Sequence, residues 1–164
     1  MKLPQTGGCL CGALRYEITE APQMVYTCHC TDCQRLTSSA FSMAIVVADG
    51  AFQLTRGEPR PQQKTADSGR VNTVWICPQC GSWICGAPTP GSVLRVPAGT
   101  LDDTSWLRPT VHFWTRNKQP WGRTPRGQPE LRDAACGSAG VPLLDSVRPV
   151  SAPRGGPWQL PVSR

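Results

Sequence analysis

The chain has 164 residues, of which 39% are hydrophobic, and a formal net charge of +6. This length predicts one domain of ordinary size with room for a tail. No stretch approaches the ~18 apolar residues of a membrane span, and the start, MKLPQTGGCLCG, lacks the apolar run of a secretory signal. We therefore expect a cytoplasmic protein without a membrane partner.

The positive charge is spread along the chain without a cluster. Residues 1–121 carry 11 Lys and Arg against 8 Asp and Glu, and residues 122–164 carry 6 Arg against 3 acidic residues. Because no basic stripe stands out, we expect no nucleic-acid partner. The sequence gives no indication of an oligomeric state.

Short segments that alternate or are rich in β-branched residues predict strands at 13–19, 39–47, 51–57, 70–77, 92–101 and 111–116. Residues 31–39 alone favour a helical turn. Turn signals separate these segments. We therefore predict a mostly β domain over residues 1–121, a small sheet structure stabilised by zinc, because short strands with a thin core leave little margin of stability.

The character of the sequence changes after Trp121. Residues 122–164 hold 7 Pro and 6 Gly in 43 positions, and large apolar residues become sparse. About 30% Pro and Gly is the level at which unstructured segments become common. We predict that this tail is disordered or packs loosely onto the surface.

Eight of the nine cysteines fall into three groups. The groups are Cys9 and Cys11; Cys28, Cys30 and Cys33; and Cys77, Cys80 and Cys85, while Cys136 stands alone. Without an export signal, and with cysteines only two residues apart, the pattern favours metal-bound thiolates over disulfides. The cluster spacings of iron–sulfur proteins are absent, and so is the βαβ context of a thioredoxin-like redox pair.

The segment Cys77-Pro-Gln-Cys80-Gly is typical of a zinc knuckle, since cysteines at i and i+3 on a tight turn can hold one ion. A knuckle needs two further ligands, and the pair Cys9 and Cys11 can supply them. We predict that these four cysteines form a closed structural zinc site. The site would also join the first strand to a late one.

Three cysteines then remain for a second ion: Cys28, Cys30 and Cys33. Three protein ligands with one exchangeable position are typical of catalytic zinc. The alternative is that Cys85 or His29 supplies a fourth ligand and makes the second site structural as well. His29 lies between two ligands, so its ring cannot easily turn onto the same ion. Cys85 could equally be a small buried apolar residue.

Four stretches together resemble the glutathione-dependent formaldehyde-activating enzymes, a family that also includes the centromere protein V group. They are GGCLCGALRYE (7–17), CHCTDCQRLTSSAF (28–41), CPQCGS (77–82) and AGTLDD with RPTVHFWTRNKQPW (98–121). The combined spacing is specific, although each piece alone is weak. The resemblance implies a β-tent-like fold with two zinc ions, a structural one on Cys9, Cys11, Cys77 and Cys80 and a labile one on Cys28, Cys30 and Cys33.

The resemblance also implies that glutathione binds at the labile zinc and adds to formaldehyde. The product is S-(hydroxymethyl)glutathione, and the class is carbon–sulfur lyase. Zinc with three thiolates is electron-rich, so it would present a nucleophilic thiol rather than polarise the aldehyde. Excess negative charge there favours nearby cations, and Arg35 is the candidate. A glutathione carrier or a non-enzymatic zinc module is the alternative.

The sequence departs from the family in two places. Ser38 stands where the family usually has a glycine, and the family tail after Gln-Pro-Trp, resembling VxLPEGxxxYExQP, is replaced by GRTPRGQPELRDAA. Codons can be chosen for this segment that return a family-like tail after loss of one base. The hypothesis is therefore a frameshift after Trp121, which the gene sequence tests.

Overall fold

The computed structural model describes residues 1–65, 69, 71–87 and 93–133. The strands within them are β1 Gln5–Gly8, β2 Arg15–Ile18, β3 Met24–Cys28, β4 Ser42–Ala48, β5 Phe52–Arg56, β6 Arg60–Thr65, β7 Val71–Ile76, β8 Trp83–Ala87, β9 Val93–Pro97, β10 Val111–Phe113 and β11 Glu130–Leu131. One α-helix, α1, spans Thr31–Thr37, and short 3-10 helices span Asp49–Ala51, Ala98–Thr100 and Thr115–Asn117. Among the helices of this described part, none is long and apolar enough to cross a membrane.

The strands form two sheets. The small sheet has the order β1-β2-β5 and the large sheet has the order β11-β10-β3-β4-β9-β8-β7-β6. Strand pairs are antiparallel except around β10, which runs parallel to both β3 and β11. The loops that carry the cysteines are the β1–β2 loop, the β7–β8 loop, and the β3–β4 connection with α1.

Each face of the large sheet has its own apolar core, because side chains alternate across a strand. On β4, Ile45 and Val47 belong to the first core, with the small sheet's Tyr16. Ala44 and Val46 point the other way and belong to the second core, which also contains Cys28. The two faces of the large sheet therefore offer separate environments, and the three-cysteine group lies on the face of the second core.

The prediction of a mostly β fold is confirmed, but several strands differ from the predicted set. β3 and β8 are buried at every position, so they lack the alternation that predicts a strand. β6 is a polar edge strand that contains Pro61, and such strands carry almost no apolar signal. The predicted helical turn at 31–39 is present as α1.

The predicted boundary after Trp121 does not mark the end of the folded structure. Residues 122–133 pack on the domain, where β11 extends the large sheet beside β10. Lys118 Nζ lies 3.0 Å from a carboxylate oxygen of Glu130, and the backbone N–H of His112 donates to the carbonyl of Pro129 at 3.0 Å. Disorder therefore does not apply to residues 122–133. Residues 134–164 of the predicted tail, with Cys136, lie outside the described residues.

Candidate metal centres

The first cluster joins the β1–β2 loop to the β7–β8 loop. The four sulfur atoms of Cys9, Cys11, Cys77 and Cys80 all lie within 4.8 Å of one another. The Sγ atoms of Cys9 and Cys11 are 3.5 Å apart, and those of Cys11 and Cys77 are 3.8 Å apart. Tetrahedral zinc with Zn–S bonds of about 2.3 Å separates its sulfurs by about 3.8 Å, so this donor set fits the ion.

Backbone and hydroxyl groups are already turned toward these sulfurs. The N–H of Leu14 donates to Cys9 Sγ at 3.1 Å, and Ser82 Oγ lies 3.2 Å from Cys80 Sγ. The hydrogen bond with Ser82 is the largest influence on the thiol of Cys80 and lowers its pKa to about 5. Gly81 closes the knuckle with a positive φ of 74°. Such contacts hold ligands in a fixed orientation and favour their thiolate form.

The second cluster lies where β3 ends and α1 begins. The sulfur atoms of Cys28, Cys30 and Cys33 fall within 4.8 Å of one another. Cys28 is the last residue of β3, Cys30 is the N-cap of α1 and Cys33 is on its first turn. The N–H of Cys33 points to Cys30 Sγ at 3.4 Å. A strand end and a short helix therefore bring these three thiols together.

Ionisation of one of these three thiols opposes ionisation of the other two. A hydrogen bond from Cys28 lowers the pKa of Cys30 to about 2, and the same contact raises the pKa of Cys28. A hydrogen bond from Cys28 lowers the pKa of Cys33, but Cys30 and burial outweigh it and raise that pKa to about 11. A divalent ion would relieve this competition, because a bound metal holds each thiol as thiolate.

Neither alternative fourth ligand joins this cluster. Cys85 is buried in the first core, beside Trp75 on the neighbouring strand. The three-cysteine group, as far as the described residues go, contains no histidine or carboxylate. Burial, the largest cause, raises the pKa of Cys85 to about 12. The structure therefore places Cys85 where a small apolar residue would be expected.

His29 faces away from the cluster. Its ring Nε2 lies 3.4 Å from the hydroxyl of Thr27, which is 2.6 Å from Nδ1 of His112. Thr27 and Cys28 are neighbours on β3, so their side chains point to opposite faces. His112 Nε2 lies 2.6 Å from Oε1 of Gln128, a residue of the predicted tail. His29 thus belongs to a buried polar chain behind the cluster, and burial lowers its pKa.

Arg35 lies on the outer side of α1. With Thr31, Gln34 and Ser38 it follows the helical spacing of one face, and this face lines a cleft of about 490 Å³ together with Gln119 and Trp121. Cys33 lies on the opposite side of the helix by the same periodicity. Arg35 is therefore close to the cluster in sequence, but it lies on the side of α1 that faces away from the three sulfurs.

Ser42 is a residue that sequence analysis missed. It lies opposite Cys28 in the β3–β4 pair, is 1% exposed, and its hydroxyl has no hydrogen-bond partner within the described residues. It is near enough to Cys33 to lower the pKa of that thiol, after the stronger effects of the other two cysteines. A serine in an apolar run carries no signal of its own, so only the strand register could reveal it.

Comparison with known proteins identifies a family through one family model. The structure of a Rhodobacter sphaeroides protein aligns with a TM-score of 0.48 and 19% identity, over 63% of this chain and 91% of that one. Comparison with curated proteins gives no match. The family model named glutathione-dependent formaldehyde-activating enzyme matches residues 4–117, which include all seven clustered cysteines. Since this match spans well over half of the sequence, the chain belongs to the family of glutathione-dependent formaldehyde-activating enzymes.

Proposed function

We propose that the chain is a cytoplasmic zinc enzyme of the carbon–sulfur lyase type, which forms or breaks S-(hydroxymethyl)glutathione. The observation that carries the proposal is the difference between the two clusters. Within the part of the chain that the structure describes, one set has four donors, Cys9, Cys11, Cys77 and Cys80, and the other has three, Cys28, Cys30 and Cys33. The first set suits a structural zinc ion, and the second suits an ion that accepts an outside ligand.

A zinc ion on the second set would supply an open position in which an incoming thiol is held as thiolate. In the net reaction the sulfur of glutathione bonds to the carbon of formaldehyde, and the thiol proton ends on the aldehyde oxygen. No other atoms are gained or lost. The reverse reaction breaks the same carbon–sulfur bond and returns the proton to sulfur.

The chain's own residues hold the cluster in place and keep water from part of it. Cys28 is 8% exposed and lies in the second core with Phe113, and Trp114 packs against the same core. Gln34 Nε2 donates to the carbonyls of His29 at 2.6 Å and Asn117 at 3.0 Å, which ties α1 to the loop after β10. Cys30 and Cys33 are only partly buried, so a ligand can reach them.

Arg35 is proposed to act at longer range. It is exposed and lines the outer cleft without an ion-pair partner in the described residues. An exposed cation near the entrance raises the local concentration of an anionic ligand, and this effect weakens with salt. Arg35 would therefore assist the approach of glutathione without touching the reacting sulfur.

The test is titration of zinc-loaded protein with glutathione, followed by calorimetry, for the wild type and Cys30→Ser. The proposal predicts saturable binding that disappears in the variant. Adduct formation from glutathione and formaldehyde, followed by NMR exchange, should be faster than the uncatalysed reaction and should depend on Cys30. Binding without acceleration would show a carrier, and equal binding by the variant would contradict the proposed site.

A further inference from the structure

The second-core face of the large sheet carries buried hydrogen-bond donors that have no acceptor. Within the described residues, the buried side-chain polar atoms without a partner are His29 Nδ1, Ser42 Oγ, Trp75 Nε1, Trp83 Nε1 and Arg95 Nε. Ser42, Trp83 and Arg95 lie on the same face as Cys28, whereas Trp75 belongs to the first core. A buried donor without a partner is unfavourable, because it has lost its hydrogen bonds to water without a replacement. Ser42 lies beside the cluster thiols, so Trp83 and Arg95 are the two donors on this face that indicate an acceptor arriving with a ligand.

The strand register assigns Arg95 to this face. Its neighbours on β9, Leu94 and Val96, belong to the first core, so Arg95 points the other way. It pairs with Val46 on β4, and Val46 belongs to the second core. Arg95 is partly buried and makes no hydrogen bond or ion pair with any described residue. A guanidinium whose buried Nε has no partner among the described residues favours a carboxylate, which it can bind through two parallel hydrogen bonds.

Trp83 brings a second donor to the same position. On β8, Gly86 pairs with Arg95 on β9. A Cβ built on Gly86 would lie only 3.4 Å from Nε1 of Trp83, so the indole N–H lies over this glycine. Trp83 is 9% exposed. The indole N–H and the backbone of Arg95 therefore lie on adjacent strands at one level of the sheet, where one carboxylate could accept from both side chains.

This point lies within reach of a peptide thiol held at the second cluster. Cys28 pairs with Ser42, and Arg95 pairs with Val46, four positions further along β4. The two positions are therefore about 13 Å apart along β4 and about 10 Å apart across it. The long Arg95 side chain spans part of this gap, and a tripeptide whose central residue carries the thiol extends at most about 7 Å further toward a terminal carboxylate.

The sheet also bends so that this face is enclosed on two sides. Lys64 lies on β6, the strand at one edge of the large sheet. It forms an ion pair with Asp32 of α1, and α1 follows β3, which is the third strand from the opposite edge. Val74 and Val93, which pack on the same core, are only partly buried. The face is therefore enclosed on two sides, and its side chains next to Arg95 are partly exposed.

We propose that Arg95 and Trp83 form a carboxylate subsite for the ligand whose sulfur binds at Cys28, Cys30 and Cys33. The proposal rests on the proposed function and narrows its substrate class. The substrate is a thiol with a carboxylate at peptide distance from the sulfur, as in glutathione. Small thiols without a carboxylate would bind only through sulfur.

The experiment measures dissociation constants by calorimetry on the zinc-loaded full chain with three probes: glutathione, its glycyl ethyl ester and cysteamine. The variants are Arg95→Gln, Arg95→Lys and Trp83→Phe, which removes only the N–H from a similar ring. Arg123→Gln is the matched control, because Arg123 is exposed and belongs neither to a cysteine cluster nor to this face. Zinc content and thermal unfolding are recorded for each variant.

Arg95→Gln should weaken glutathione binding about ten- to hundredfold, the range for a lost charged hydrogen bond. It should leave the dissociation constant of cysteamine unchanged. Arg95→Lys should recover part of the lost affinity for glutathione. Trp83→Phe should show a smaller loss with the same selectivity and tests the subsite even if Arg95→Gln misfolds. If the wild type binds the ester as weakly as Arg95→Gln binds glutathione, the glycyl carboxylate occupies the subsite. If the wild type binds the ester as tightly as glutathione, the other carboxylate occupies it.

Three distinct results would overturn the subsite. If Arg95→Gln and Trp83→Phe bind glutathione as the wild type does while Cys30→Ser does not, the subsite is wrong and the proposed function stands. If the wild type binds none of the three thiols, the proposed function fails, and the subsite fails with it. An equal loss for glutathione and cysteamine would show a structural role and would also contradict the subsite.

Discussion

Ser42 lies directly opposite Cys28 on the neighbouring antiparallel strand, and its buried hydroxyl has no partner among the described residues. Residues opposite one another on such strands have Cβ atoms about 5 Å apart and share a face. The first cluster shows a comparable contact, with Ser82 Oγ 3.2 Å from Cys80 Sγ. The hydroxyl of Ser42 is therefore placed to donate to a thiolate of the second cluster.

Ser42→Ala should weaken zinc binding at the second cluster about tenfold, the lower range for a group that orients a metal ligand. Chelator competition measures the zinc affinity of each cluster directly, and the affinity of the first cluster should not change. Ser39→Ala is the control, because Ser39 is exposed on the loop after α1. Unchanged competition in Ser42→Ala would mean that the hydroxyl makes no contact with the metal ligands.

Loss of one ligand should have different consequences at the two clusters. Cys77→Ser breaks the four-sulfur set that joins the β1–β2 and β7–β8 loops, so zinc binding no longer supports folding. We expect loss of one zinc and a fall of several kcal/mol in the free energy of unfolding. Cys33→Ser should lose the other zinc and glutathione binding but keep the fold. Far-ultraviolet circular dichroism with zinc analysis distinguishes the two, and equal destabilisation would argue for two structural sites.

Truncation tests how far the folded structure extends. A chain that ends at Trp121 loses β11, the carboxylate that binds Lys118 and the partner of His112. We expect destabilisation of about 1–3 kcal/mol, since His112 is left with an unpaired buried nitrogen. A chain that ends at Asp133 keeps all these contacts and should unfold at nearly the wild-type urea concentration. Equal stability of both truncations would contradict the role assigned to residues 122–133.

The frameshift after Trp121 is a separate hypothesis about the gene. It predicts that restoring one reading frame at this point returns a family-like tail. The nucleotide sequence decides this hypothesis. If neither alternative frame encodes a family-like tail, the hypothesis is rejected.

Ser38→Gly should stabilise the protein. Ser38 ends α1 in the left-handed conformation, with φ 50° and ψ 37°, at a position where glycine is favoured. Glycine relieves about 1–2 kcal/mol of backbone strain in the folded state. This gain exceeds the entropic cost of ordering a more flexible glycine on folding, about 0.5–1 kcal/mol. The net gain should be up to about 1 kcal/mol in urea unfolding. Ser38→Ala, which keeps the strain, is the control and should bring no such gain.

Arg35→Gln should slow the association of glutathione by a few-fold at low salt and have little effect at high salt. The reason is that an exposed cation acts mainly on the approach of an anionic ligand. Stopped-flow fluorescence over a range of salt concentrations measures the association rate. A large, salt-independent rise in the dissociation rate would instead place Arg35 in contact with the ligand.

The grouping of the cysteines could be predicted because part of it is local. Cysteines at i and i+3, as in Cys77 and Cys80, can converge within a single turn whatever the rest of the chain does. The structure brings the same seven residues together in the predicted sets of four and three. Alternating segments such as the one around Tyr16 likewise predicted strands, because one face of such a strand must be buried.

The tertiary structure decided which residues share a face with the second cluster. Ser42 and Arg95 reach that face only through the register of β4 with β3 and β9, and a shift of one residue would turn both away. His29 lies beside Thr27, and Cys85, opposite Trp75 of β7, is buried in the first core. Ligand spacing is thus a property of the sequence, while the surroundings of those ligands depend on strand pairings between residues far apart in the chain.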